Sequence, residues 1–121
     1  MNTSRFVCAT ISAGALAVVL LAACGAPGPP SGSPEALYID LGCAKCHGDA
    51  RQGQRSGPPL VKIGDHWNEA SLLEYLKDPK TFVKSNPRLS YLNEQYAIAM
   101  PAFRNTNEED LRKLAEFILN S

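Results

Sequence analysis

Gly42-Cys43-Ala44-Lys45-Cys46-His47-Gly48 is the stretch that decides how this sequence is read. Two thiols three positions apart lie about one helical turn from each other, and a histidine adjoins the second. That spacing lets both thiols reach the two vinyl groups of one haem and form thioethers, while His47 is held beneath the iron as its ligand. Cys-x-x-Cys-His is the c-type haem attachment signature. Two other chemistries use paired cysteines. A thioredoxin-like redox pair belongs in a strand–helix–strand context, which the flanking sequence lacks. A structural zinc site calls for a second ligand pair with its own spacing, and only the solitary His66 is left to contribute. The expected cofactor is therefore one covalent haem c on Cys43 and Cys46.

Attachment of this kind follows export, and the front of the chain supplies an export pattern. Met1 to Arg5 carries one positive charge and no acid, and residues 6–23 are apolar or small without a charge. A short basic region followed by an apolar run is a secretory signal. It ends in Leu21-Ala22-Ala23-Cys24, which resembles the lipobox of bacterial lipoproteins. The resemblance implies a signal peptide over 1–23, lipidation of Cys24, and a protein held at a bacterial membrane while facing the periplasm or extracytoplasmic space. An uncleaved transmembrane anchor is the alternative, since roughly 20 apolar residues span a bilayer. Either way the rest of the chain is expected outside the cytoplasm. Residues 24–33 then read as a tether rich in Gly, Pro and Ser, reaching about 30 Å when fully extended. With Cys8 lost with the signal and Cys24 lipidated, no cysteine is left for a structural disulfide.

Residues 34–121 make one small head, of a size that buries limited apolar area. A large bound cofactor stabilises such a domain, because only the native state binds it. Ser33 is placed to cap a helix with Pro34 at its first position and Glu35 in its first turn. Leu37, Leu41 and Ala44 continue at helical spacing toward the cysteines. Residues 49–65, rich in Gly, Gln and Pro, read as loop. Asn68 opens a second helix through Leu72, Leu73 and Leu76 that ends near Asp78-Pro79. A further short helix follows Pro79. Thr106-Asn107-Glu108-Glu109 fits a capping box, and Leu111, Leu114, Ala115 and Ile118 form the stripe of the last helix. No strand pair is predicted, and the fold class is all-α: a few helices and long loops wrapped around one covalent haem.

The head resembles a class I, single-haem c-type cytochrome over nearly its whole length. Cys43 and Cys46 match the thioether cysteines, and His47 the proximal ligand. Gly57-Pro58-Pro59-Leu60 looks like the family's Gly-Pro-x-Leu loop, which implies that the Pro58 carbonyl accepts a hydrogen bond from His47. Met100-Pro101-Ala102-Phe103 looks like the distal loop, which implies Met100 as the sixth iron ligand. His66 is the other candidate for that position, against its plainer reading as a surface imidazole. The first helix departs from the family in lacking a glycine before Cys43, with Glu35 and Ala36 near that position, which puts the crossing of the terminal helices in question. Trp67 either donates to a haem propionate, as in some relatives, or is a core aromatic. Tyr75, Tyr91 and Tyr96 are expected as packing and pocket wall, and Glu108-Glu109-Asp110 as a helix first turn without a function.

These readings point to a membrane-anchored, extracytoplasmic electron carrier with His/Met ligation, not an enzyme, whose partners are redox proteins. No small-molecule substrate is expected. Lys plus Arg equals Asp plus Glu at 12 each, which argues against nucleic acid as a partner. Charge is nevertheless uneven. Residues 45–88 hold eight Lys/Arg against five Asp/Glu, while the flanks 24–44 and 89–121 hold three against seven. A mildly basic face beside the haem loop would steer an acidic partner. One alternative is an electron-input haem subunit of a larger respiratory or periplasmic oxidoreductase. A haem enzyme or gas sensor with an open iron is another, and carbon monoxide binding to the ferrous protein separates it from the carrier. The lipobox reading is tested by Cys24→Ser, which is expected to block lipidation and release the protein from membranes. An unmodified N-terminus elsewhere, or retention of residues 1–23 by intact mass, contradicts it.

Overall fold

The computed structural model describes residues 28–121. The signal segment, Cys24 and the start of the tether lie outside the described residues. Residues 28–32 are exposed and form neither helix nor strand. Six helices follow: α1 (Pro34–Asp40), α2 (Cys43–His47), α3 (Glu69–Lys77), α4 (Pro79–Ser85), α5 (Pro87–Gln95) and α6 (Glu108–Leu119), with a 3-10 turn at Ile63–Asp65 between α2 and α3. No strand occurs among the described residues. One isolated bridge joins Gln54 and Gly57. The class is all-α, as expected.

Three helices start on the same local device. Ser33 Oγ accepts from the Ala36 N–H at 3.2 Å, Asp78 Oδ1 from the Thr81 N–H at 3.3 Å, and Asn86 Oδ1 from the Leu89 N–H at 3.2 Å. Each cap is followed by a proline at the first helical position, where a missing N–H loses no helical bond and the fixed φ suits the helix. At the head of α3, Asn68 and Ser71 cap each other reciprocally. Helix α1 does not continue into the cysteines. Gly42 turns the chain in a left-handed conformation at φ 80, and α2 begins anew at Cys43.

Helix α6 is the axis of the core. Leu111, Leu114, Ala115 and Ile118 recur at i, i+3, i+4 and i+7, and none is more than 3% exposed. Helices α1 and α3 both pack on this stripe. The absent glycine in α1 does not prevent the contact, because Ala36 is small and buried. Tyr38 meets Phe117 edge-on, with centroids 6.0 Å apart at 64°. Among the described residues, helix α5 packs on α4 and on no other helix.

The cap of α6 differs from the expected box. Asn107, not Thr106, is the N-cap, and its Oδ1 accepts from the N–H groups of Glu109 at 2.8 Å and Asp110 at 3.4 Å. With Asn107 as the cap, Glu109 falls one position short of the place from which a capping box reaches back, and it pairs forward with Lys113 at 2.9 Å. Asparagine is among the strongest caps, and starting the helix at Glu108 sets three carboxylates against the positive end of the helix dipole. Asn107→Ala is expected to cost about 1 kcal/mol of stability, and Thr106→Ala less than about 0.5 kcal/mol. Leu114→Ala, at the centre of the stripe, is expected to cost about 2–5 kcal/mol. Urea unfolding midpoints at constant slope check all three, and a Thr106→Ala loss equal to that of Asn107→Ala contradicts the assignment.

Candidate haem site

Helix α2 is little more than one turn, so positions i, i+3 and i+4 share a face. Those positions are Cys43, Cys46 and His47, and all three line one cleft. Cys43 and His47 are buried and Cys46 is half-buried. Burial pushes the Cys43 thiol up to about 11. A nucleophilic redox pair needs the opposite, a cysteine whose thiolate is stabilised. No group of three or more His, Cys, Asp or Glu among the described residues is disposed to hold a metal ion. The thioredoxin-like and zinc readings therefore find no support in the geometry.

His47 Nδ1 lies 2.7 Å from the Pro58 carbonyl oxygen and donates to it. That bond fixes the tautomer and leaves the lone pair on Nε2. Burial lowers the pKa of the imidazole, partly opposed by the bond to Pro58. Pro58 is brought into place by a loop strapped along α2. The Gly53 N–H donates to the His47 carbonyl at 2.7 Å, Gln54 Nε2 to the Ala44 carbonyl at 3.3 Å, and Ser56 Oγ to the Lys45 carbonyl at 3.3 Å. The loop thus gives partners to the His47 and Lys45 carbonyls at the end of a short helix, and the Ala44 carbonyl takes Gln54 in addition to the Gly48 N–H. The approach requires glycine at position 57, where a Cβ would stand 2.8 Å from the Cys46 carbonyl oxygen.

The cleft encloses about 1070 Å³ of empty space, open solvent at its mouth included. Helices α3, α5 and α6 supply its apolar walls, among them Leu72, Leu76, Leu89, Leu92 and Ile118. Met100 is half-buried in the same lining, on an irregular segment between α5 and α6, together with Pro101. The Phe103 N–H donates to the Leu76 carbonyl at 2.9 Å and ties this segment to α3. The structure thus brings Cys43, Cys46, His47, Pro58 and Met100 to one cleft. His66 is exposed and lies outside its lining. A large apolar space with two thiols and an imidazole on one helix face and a thioether also in its lining fits a covalently held haem.

Trp67 and Tyr75 line the cleft and form an aromatic cluster with Phe82, with centroids 5.1–5.8 Å apart. Tyr96 is also on the wall. Tyr91 is not: it is 63% exposed on the outer side of α5. The contribution of α5 to the cleft, through Leu89 and Leu92, is absent from the sequence reading, although Asn86-Pro87 repeats the cap-and-proline signal of Ser33-Pro34. Glu108 pairs on the surface with Lys77 at 3.5 Å and Arg112 at 3.0 Å.

A family model described as Cytochrome c matches residues 35–121. No curated protein and no solved structure matches the chain. The matched span runs from the first turn of α1 to the last residue and encloses the whole cleft. On that match the chain belongs to the cytochrome c family, electron carriers that hold haem c covalently.

Proposed function

We propose that this chain is a lipid-anchored, extracytoplasmic electron carrier in which one haem c is joined to Cys43 and Cys46 and ligated by His47 and Met100. The observation that carries this reading is the convergence of α2 and the Met100 segment on one cleft. Haem c supplies a one-electron iron couple, and His/Met ligation raises its potential relative to harder ligand sets. The chain's residues do the rest. Pro58 holds the His47 ring in one orientation and makes Nε2 a better donor. The aliphatic walls from α3, α5 and α6 exclude water. Pro101 disfavours a helical backbone at Met100, so the thioether is presented into the cleft instead of onto a helix neighbour. His66, exposed and outside the lining, is less well placed for the same role.

No helix among the described residues is long and apolar enough to cross a membrane. Membrane attachment is assigned to Cys24, with the tether setting the reach of the head. The partner is a redox protein. Arg88 at the cleft, and the exposed Lys45, Arg55, Lys62 and Lys84 from the basic stretch, favour one with an acidic docking face.

The ligand assignment is tested by Met100→Ala. The oxidised wild-type protein is expected to show the weak near-infrared band of sulfur-to-iron charge transfer. The variant is expected to lose it, to have a lower reduction potential, and to bind carbon monoxide in the ferrous state. A band absent from the wild type, or surviving in Met100→Ala, contradicts the assignment and makes His66→Ala the next variant to measure.

A further inference from the structure

Gly48 follows His47 directly, and its carbonyl oxygen takes two hydrogen bonds. The Tyr38 hydroxyl donates to it at 2.8 Å and the Arg51 backbone N–H at 3.0 Å. Tyr38 comes from α1 and is only 2% exposed, so this is a buried bond between separate elements. The ring of Tyr38 meets Phe117 of α6 edge-on. The Arg51 side chain folds back over the same Phe117 ring, with Cζ 4.1 Å from its centroid. Arg51 Nε and Nη1 are buried and have no hydrogen-bond partner among the described residues, where the aromatic ring is the group that offsets their burial. One carbonyl and one ring therefore join α1, α6 and the turn that leaves His47.

We propose that Tyr38 is a positioning residue: its hydroxyl, acting through the Gly48 carbonyl, holds the backbone of His47 so that the imidazole keeps a single orientation in the cleft. The ring of His47 is fixed at one end by Pro58. A bond at the ring alone leaves the imidazole free to move together with the loop that carries Pro58. The His47 carbonyl is held by the Gly53 N–H, which belongs to the same loop as Pro58, so the Gly48 carbonyl is where α1 adds a backbone constraint from outside that loop. Phenylalanine at position 38 would keep the edge-on stack and the apolar burial but supply no donor. Burial pushes the Tyr38 phenol up to about 12, so it remains a donor through the working pH range. The orientation of a ligating imidazole tunes its metal, which links a group in α1 to the redox behaviour of the iron. The inference rests on His47 being an iron ligand.

The experiment compares the oxidised holoprotein with Tyr38→Phe and Asn107→Ala by proton NMR and by reduction potential. Tyr38→Phe is expected to change the spread of the haem methyl shifts and to move the potential. Asn107→Ala weakens the fold away from Gly48 and is expected to leave both at wild-type values. The wild type is also expected to show a slowly exchanging Tyr38 hydroxyl proton, a measurement that does not depend on the variant folding. Wild-type shifts and potential in Tyr38→Phe, with only a lower unfolding midpoint, overturn the proposal and reduce Tyr38 to packing. A freely exchanging hydroxyl proton overturns it as well. Failure of the ligand assignment is read separately, because wild-type protein would then lack hyperfine-shifted His47 ring resonances, and the proposal falls with its premise.

Discussion

The hydrogen bond from His47 Nδ1 to the Pro58 carbonyl, at 2.7 Å, is the constraint on which the rest of the site depends. A buried imidazole without a partner would be free to change tautomer and to turn. With Nδ1 committed, Nε2 is the one ring nitrogen left with a lone pair. The bond needs the 53–60 loop to lie against α2 over its whole length, and this is where Gly57, Ser56 and Gln54 have their physical role. A side chain at position 57 would push the loop away from the Cys46 carbonyl and carry Pro58 with it.

The scaffold presents α2 from two directions. Helices α1 and α3 close on the fully buried stripe of α6, and the turn after His47 is joined to that pair through Tyr38, Arg51 and Phe117. Helices α4 and α5 form the other side of the cleft on a lighter foundation, since α5 rests on α4 alone among the described helices. Its remaining apolar residues, Leu89 and Leu92, face the cleft. That is the arrangement expected of a small domain completed by a large cofactor, in which part of the apolar surface finds its partner in the bound group.

Much of this was legible in the sequence, for reasons that can be named. Cys43, Cys46 and His47 are read from spacing alone, because one helical turn settles which side chains share a face. The α6 stripe and the α3 cap are likewise local patterns. The break at Gly42 was hidden because Leu37, Leu41 and Ala44 keep helical spacing across it. Helix α5 was missed because Tyr91 is exposed and its apolar residues belong to the cleft, so no ordinary stripe appears; only the Asn86-Pro87 cap marked it. Thr106 and Asn107 are both sound caps by residue type, and the local pattern does not choose between them; in the structure Asn107 takes the N–H groups of Glu109 and Asp110. The meeting of Tyr38 with Gly48, ten residues apart, follows from tertiary packing and has no local signature.

Mapping the point of attachment tests the central claim most directly. Holoprotein is denatured, digested under conditions that keep residues 43–47 in one fragment, and analysed by mass spectrometry. The account expects a single fragment containing Cys43, Cys46 and His47 to carry one haem through two thioether bonds, with no other fragment modified by haem. Haem that is released by acidified solvent, leaving both thiols free, or haem recovered on a fragment lacking these cysteines, would contradict it.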